Sequence, residues 1–420
     1  MVGAKPFDIS KREVWEAFKR VKVNQGAAGV DGQLIAAFEA NLADNLYKLW
    51  NRLSSGSYLP PPVRRVDIPK ASGGTRPLGI PTVADRIAQE VVRRCMEPLL
   101  EPIFHEDSYG YRPGRSAIDA VRTARQRCWR SAWVIDLDIK AFFDTIDHEL
   151  LLKAVRHHTD CRWVLLYVER WLKAPMQMAD GSIEPRTMGT PQGGVASPLL
   201  ANLFLHYVFD AWMSRERPHI PFERYADDII CHVRTRREAV ALLDTLKVRF
   251  AECGLALSPQ KTKIVYCQDT NRPGNGHPVT SFDFLGFTFR PRLAKWPNGK
   301  YGVSFLPAAS PRALKFIRKS VRDWGLQRRS DKSLDDLARM FSPYIRGWVN
   351  SYSHFYKTAL YPTLNRIDAH LLRWARRKFK SLRQRPRQAR AWLTRVKQRS
   401  PKLFPHWQFR HQNGRMLGAV

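Results

Sequence analysis

The chain has 420 residues, 44% hydrophobic and 26% charged, enough to bury a core in two or three folding units and too apolar for a disordered polypeptide. No apolar run approaches the ~20 residues a membrane span needs, and Met1–Ser10 lacks the apolar stretch of a secretory signal. The sequence therefore reads as cytosolic, in a bacterium the compartment that also holds the genome.

Residues 11–55 read as helical, with Val14, Phe18 and Val21 at three- and four-residue spacing, until Pro60-Pro61-Pro62 breaks the pattern. Residues 63–290 alternate strand-like and helical runs, and residues 291–420 turn helical, so the predicted units are 1–62, 63–290 and 291–420. Within the middle unit Arg64 to Pro69 leads through Lys70 and Ser72-Gly73-Gly74 to Thr75-Arg76-Pro77, a β-hairpin that presents Lys70 and Arg76 for charge-assisted bonds to a triphosphate.

Further on, the run Trp133 to Ile139 alternates so that Asp136 and Asp138 share one face, opposite Ile135, Leu137 and Ile139. A glycine-rich stretch follows at Gly189-Thr190-Pro191-Gln192-Gly193-Gly194, where a substrate can approach the backbone closely and hydrogen-bond Gln192. Then Tyr225-Ala226-Asp227-Asp228, between Phe222 and Ile229-Ile230, reads as the tip of a hairpin carrying two adjacent carboxylates. Aspartates also favour turns for their own sake, but carboxylates from a strand and a hairpin are what a two-metal phosphoryl transfer requires. Two Mg²⁺ ions roughly 3.5–4 Å apart need hard oxygen ligands.

In the last third Ser310-Pro311 reads as a helix cap with Leu314, Ile317, Val321 and Trp324 on one face. Ser342-Pro343 repeats the signature before Ile345, Trp348 and Tyr352, and a third helix carries Leu364, Ile367, Leu371 and Trp374. These stripes read as core. The opposite faces hold Arg312, Lys315, Lys319 and Arg322, then Arg373, Arg376, Arg377 and Lys380.

Net charge, +32 in all, is concentrated here: residues 291–420 hold 30 Lys and Arg against 5 Asp and Glu, leaving a surplus of 7 for the rest. Arg373–Arg399, which includes Arg383 and Arg387, has 12 basic residues and no acid, a density suited to a polyanion, with a solvated face as the plainer alternative. Six scattered cysteines without a C-x-x-C pair read as reduced, mostly buried thiols, and no histidine pair has metal-ligand spacing; His406 and His411 read as RNA-facing or surface residues.

The order of these blocks resembles the reverse transcriptase/maturase of bacterial group II introns over nearly the whole chain. Asn24 to Gly32 is similar to the segment that precedes the fingers, Lys70 to Pro81 and Ser108 to Ser116 to the two fingers blocks, and Asp138 to Asp144 to the first palm block, where Gly is more usual than Ala141. The Gln192 stretch and the Tyr-Ala-Asp-Asp hairpin resemble later palm blocks. Leu257 to Thr262 departs slightly from the usual Asn and Glu, Phe284 to Phe287 resembles the primer grip, and Tyr344 to Trp348 part of the thumb and maturase region.

The resemblance implies an α+β right-hand polymerase, fingers and palm, followed by a helical thumb and maturase region. It implies Asp138, Asp227, Asp228 and the backbone of Ile139 as ligands of two Mg²⁺ ions, with Mn²⁺ as an alternative, and Lys261 as proton donor to pyrophosphate. Lys70 and Arg76 would meet the triphosphate, Gln192 would lie near its sugar, and Phe143 beneath the 2′ position would exclude ribonucleotides; Asp136 reads as a surface or a supporting acid. Partners would be the parent intron RNA, an RNA template with a DNA primer, deoxynucleoside triphosphates and target DNA, with no membrane. The paired Cys and His motifs of a C-terminal endonuclease have no counterpart up to Val420, so mobility on this reading uses primers made elsewhere, for example at a replication fork. Two rival readings share the resemblance: a domesticated reverse transcriptase in host defence or repair, and an RNA-binding splicing cofactor only.

Overall fold

A computed structural model describes residues 5–69, 74–274, 276–296 and 298–411, and the chain divides into two compact units. The first comprises the segments up to Ser116, Leu137–Ile229 and Val240–Thr262; the second comprises Ala117–Asp136, Ile230–Ala239 and Lys263 onward.

In the first unit the helix Lys11–Asn24 starts at a reciprocal cap between Ser10 and Glu13 and buries Val14, Ala17, Phe18 and Val21. Helices Ile35–Ala40 and Leu42–Ser55 follow, and Gly56 ends the second at φ +75°. Behind the Pro60–Pro62 break, Val63–Pro69 pairs antiparallel with Thr75–Ile80, Pro69 facing Thr75. This is the expected hairpin, although Lys70 at its turn lies outside the described residues. The sheet is completed by Met176–Gln177, parallel to Val63–Pro69, and by Ile183–Glu184.

Helix Val83–Leu100 runs through the centre of this unit. Its fully buried Asp85 accepts from Tyr58 Oη, Trp171 Nε1 and Gln89 Nε2, so a carboxylate in an apolar interior is satisfied by three neutral donors. Gln89 in turn accepts from the amides of Val195 and Ala196, fixing the glycine-rich loop to the helix.

The acidic motifs lie in a four-stranded sheet in the order Phe222–Tyr225, Asp228–Val233, Trp133–Asp138, Lys263–Tyr266. Val134, Ile135 and Leu137 are buried while Asp136 and Asp138 stay partly open, as the alternation requires.

The second unit has a three-stranded antiparallel sheet, Tyr301–Ala309, Phe287–Lys295 and Phe282–Phe284. The turn between the last two is Leu285–Gly286 with φ +49° and +82°, the two-positive geometry that matches strand twist. Four long helices follow, Pro311–Asp323, Leu334–Tyr352, Tyr361–Lys378 and Pro386–Arg399, then Pro405–His411. Ile317, Val321, Ile345, Leu364, Ile367, Leu371 and Trp374 fill the helical core, with Leu314, Trp324, Trp348 and Tyr352 packed against it. The apolar stripes are core, as the periodicity predicts.

Three expectations are corrected here. The stretch after Pro291, expected to be helical from its start, first continues as paired strands, Phe287–Lys295 and Tyr301–Ala309 held by their ladder from Phe287 opposite Ala309, and helix begins only at Pro311. Ser310 does cap its helix, with Pro311 at the first position, but Ser342-Pro343 opens nothing. Pro343 sits inside Leu334–Tyr352 on its exposed side, and the true start is Ser333, whose hydroxyl accepts from Asp336 N while Asp336 accepts from Ser333 N. His406 is not a surface residue. It is buried, and its Nε2 donates to Asp368 Oδ1 over 3.0 Å. Trp407 Nε1 donates to the same oxygen and Lys397 Nζ to Oδ2, so one buried carboxylate joins three helices.

Candidate active site

All the described catalytic and nucleotide-contact candidates belong to the first unit. Asp138 ends its strand, and the segment Ala256–Thr262 clasps it there. Ser258 N donates to Asp138 O at 2.8 Å, Asp138 N to Thr262 Oγ1 at 3.4 Å, and Lys140 N to Ala256 O at 2.8 Å. Ile139 is buried and forms a β-bridge with Leu257. Lys261, on the same segment, reaches both carboxylate oxygens of Asp138 at 3.1 Å.

The Tyr225–Asp228 turn is held by an unusual backbone choice: Ala226 adopts φ +56°, where an L residue is strained. Gly110 packs so closely against it that a Cβ would overlap Ala226 N. Burial raises the proton affinity of Asp227, and it raises that of Asp228 further, to about 6, with the negative charges of Asp227 and Asp138 adding to it. Asp228 keeps a water-exposed surface despite the protein atoms around it. The charge of Asp138 also acts on Asp227, where Arg76 and Lys261 oppose it.

Next to them, Ala141 at φ +49° starts the single turn Phe142–Thr145. This is the position where Gly is more usual, and the left-handed backbone explains why. Phe143 is 6% exposed. Its carbonyl accepts from Thr190 N at 2.7 Å, and Gly189 N donates to Ile146 O at 2.8 Å. His148 Nε2 meets Gly189 O at 2.7 Å, where burial lowers the imidazole's proton affinity. A Cβ on Gly189 would stand 2.7 Å from the Phe143 carbonyl oxygen. Phe143 and the glycine-rich loop are therefore fixed to one another. They wall a cavity of about 220 Å³ together with Pro77, Gly79, Asp144, Arg186 and Gln192. Arg76 Nε donates to Gln192 Oε1, and Gly79 N to Gln192 O at 2.7 Å, which ties the hairpin to the loop.

The structure brings together Asp138, Asp227, Asp228, Lys261 and Arg76, and joins Arg76 to Gln192 and Gln192 to the wall formed by Phe143. The donor chemistry fits a hard divalent cation: Asp227 and Asp228, whose proton affinity is raised by burial and by neighbouring carboxylate charge, gain from added positive charge. Among the described residues no three of His, Cys, Asp and Glu form a ligand set, and the ammonium of Lys261 lies on Asp138.

In the second unit Arg312, Lys315, Lys319 and Arg322 are exposed along one helix, as are Arg373, Arg377, Lys380, Arg383 and Arg387 further on. Arg376 is only half open and donates through Nε to Arg383 O. The helix Pro386–Arg399 buries Ala389, Leu393 and Val396, so its arginines occupy the remaining face.

Sequence reasoning missed the polar residues behind the acidic turn: Arg224, Asp210 and Asn202, all buried. The available signal was Glu223-Arg224 between Phe222 and Tyr225, two charges inside a strand.

Residues 68–289 match the family model for reverse transcriptase (RNA-dependent DNA polymerase), and residues 314–392 that for the group II intron maturase-specific domain. Protein YkfC of Escherichia coli is 36% identical over 280 residues, 57% of this chain and 73% of YkfC. The group II intron-encoded protein LtrA of Lactococcus lactis is 36% identical over 191 residues, 45% of this chain but 32% of LtrA. A putative COX1/OXI3 intron 1 protein of Saccharomyces cerevisiae is 31% identical over 197 residues, 47% of this chain and 23% of that protein. The chain thus spans about a third or less of the length of the last two. Among the described residues no helix is long and apolar enough to cross a membrane. The right-hand polymerase fold is followed by a helical C-terminal region, and reverse transcriptases generally use divalent metal ions. The chain belongs to the reverse transcriptase (RNA-dependent DNA polymerase) family and carries behind its polymerase segment a group II intron maturase-specific domain.

Proposed function

We propose that this RNA-directed DNA polymerase extends a DNA 3′ end on an RNA template through Asp138, Asp227 and Asp228, and that its basic C-terminal region binds the parent group II intron RNA to assist splicing and mobility. The observation that carries the polymerase reading is that Asp138, Asp227 and Asp228 lie beside Lys261 and Arg76, with Arg76 bonded to Gln192 of the Phe143 wall.

On this reading Asp138, Asp227, Asp228 and the Ile139 carbonyl would hold two Mg²⁺ ions, or Mn²⁺ in their place. The bound ions would supply the positive charge that activates the attacking hydroxyl and stabilises the leaving phosphate. Arg76 and Lys70 grip the triphosphate, Gln192 bonds near the sugar, and Phe143 fills the space a 2′ hydroxyl would occupy. Once the 3′ oxygen has attacked the α-phosphate, Lys261 gives its proton to the departing pyrophosphate. The fingers and palm then lie in residues 1–290, the thumb and RNA-binding region in 291–420. The protein works in the bacterial cytosol on intron RNA and target DNA.

Replacing Asp227 and Asp228 with Ala tests this directly. RNA-templated primer extension should vanish while affinity for RNA stays near that of the wild type. Extension that persists removes the assignment, and a wild type without extension favours a splicing cofactor alone. A domesticated role in defence or repair is separated by inspecting the flanking DNA for intron RNA domains.

A further inference from the structure

Three residues before Asp227, the strand Phe222–Tyr225 carries an arginine with no exposed side-chain surface. Arg224 donates from Nε to Asp210 Oδ1 at 2.7 Å and from Nη2 to Asp210 Oδ2 at 2.5 Å, a two-pronged pair in which Asp210 is equally sealed from water. Its third nitrogen, Nη1, donates to Asn202 Oδ1 at 2.9 Å and to the carbonyl of Ala226 at 3.3 Å. Asn202 turns its amide to Gly110 O at 2.6 Å, and Gly110 is the residue packed against Ala226 N. The backbone of Arg224 is fixed as well, its N–H on Asp107 O and its carbonyl on Tyr109 N. Asp210 reaches this point from the π-helical turn His206–Asp210, an irregularity often kept where function needs it.

A buried ion pair is poor evidence of a need for stability, because apolar residues of similar volume often do as well. What an apolar pair cannot do is hold a carbonyl. Here the carbonyl belongs to Ala226, the strained first residue of the turn that presents Asp227 and Asp228. We infer that Arg224, oriented by Asp210 and Asn202, is a positioning residue that holds the Ala226–Asp227 turn at the height and angle at which the two aspartates act. This rests on the polymerase reading of those aspartates and adds to it a support that touches no substrate.

The test is the double variant Asp210→Leu with Arg224→Met, which removes both charges and leaves the interior filled. Its melting temperature should stay within a few degrees of the wild type. In primer extension kcat should fall roughly 10- to 100-fold, as expected when reacting groups are displaced by about 1 Å. The Mg²⁺ concentration for half-maximal rate should rise several-fold, and Kd for the primer-template should not change. A folded double variant with wild-type kcat and Mg²⁺ requirement would overturn the inference, since the pair would then serve the fold alone. If the double variant does not fold, Asn202→Ala keeps the ion pair, removes one partner of Nη1 and frees Gly110, and is read in the same way. It should show the same two changes at smaller size, and unchanged values refute the proposal. An inactive wild type is a separate failure, that of the polymerase reading, and is seen before any variant is made.

Discussion

Lys261 Nζ stands 3.1 Å from each carboxylate oxygen of Asp138, so the strand aspartate of the acidic cluster already has a counter-ion supplied by the chain itself. That ammonium lies where a cation bound to Asp138 would also lie, and the two compete for the same oxygens. Lys261→Ala should therefore lower the Mg²⁺ concentration for half-maximal extension while also lowering kcat, because on the proposed function it removes the proton donor to pyrophosphate. Lys261→Arg should keep the competition but lose kcat, since a guanidinium does not give up its proton near neutral pH. Titrating Mg²⁺ for the three proteins checks this. Should Ala at this position leave the Mg²⁺ requirement unchanged, the pair is no competitor of the ion.

Phe143 is buried, and its backbone is fixed by Thr190 N and by the close approach of Gly189; on the proposed function its ring lies beneath the sugar. Phe143→Ala should raise the ratio of kcat/KM for a ribonucleotide over its deoxy counterpart by roughly tenfold, the scale on which a tight pocket discriminates against one small added group. Gly189→Ala, strained at φ +78° and crowded against the Phe143 carbonyl, should displace Phe143 and so shift the same ratio although the ring is retained. A ratio unmoved in both active variants would return Phe143 to the core.

Local chemistry accounts for what the sequence revealed and what it hid. The acidic hairpin, the Thr75–Ile80 partner strand and the Ser310-Pro311 cap were legible because each is set by residues a few positions apart. Ser342-Pro343 imitates that cap, yet the periodic apolar face running from Leu337 through Phe341 to Ile345 carries the helix across it. The real signal was the Ser333–Asp336 box nine residues upstream. The departure at Ala141 was visible, and its cost was not, since φ cannot be read from a residue name. The clasp of Asp138 by Ser258, Lys261 and Thr262 joins segments more than a hundred residues apart, and the Arg224–Asp210 pair depends on a π-turn that no periodicity announces.

Asp368 ties the basic helix Pro386–Arg399 to Tyr361–Lys378 through Lys397, and to the last helix through His406 and Trp407. Burial alone would raise this carboxyl, but the hydrogen bonds and charges of His406 and Lys397 override it and hold it at about 2. A folded value below the unfolded one of about 3.9 stabilises the folded state above that pH, and the gain disappears as pH falls through about 2. The helical region should thus lose about 2 kcal/mol between pH 5 and pH 2 through this group. Asp368→Asn should cost about 3 kcal/mol at pH 7, because it leaves Lys397 facing a neutral amide, and should flatten the acid limb. Urea unfolding followed by tryptophan fluorescence reads both. An equal acid loss in wild type and variant would show that other carboxylates dominate.

The last prediction concerns the arginines that this tie holds in place. Arg383 and Arg387 are exposed, Arg377 is exposed with one bond to Gln327 O, and Arg376 is half-engaged by Arg383 O. If the exposed guanidiniums follow RNA phosphates, each such pairing releases condensed counterions, and the slope of log K against log salt changes by roughly 0.7 to 0.9 per phosphate neutralised. Replacing Arg376, Arg377, Arg383 and Arg387 with Gln should weaken binding to structured intron RNA and flatten that slope. Arg383 and Arg387 should contribute most, because Arg376 and Arg377 already spend part of their hydrogen-bonding capacity on backbone carbonyls. Extension on a short template at saturating enzyme should suffer less, since the acidic cluster is untouched. Unchanged affinity and slope would make this run a solvated face, and the RNA site would then be sought on the helix that carries Arg312, Lys315, Lys319 and Arg322.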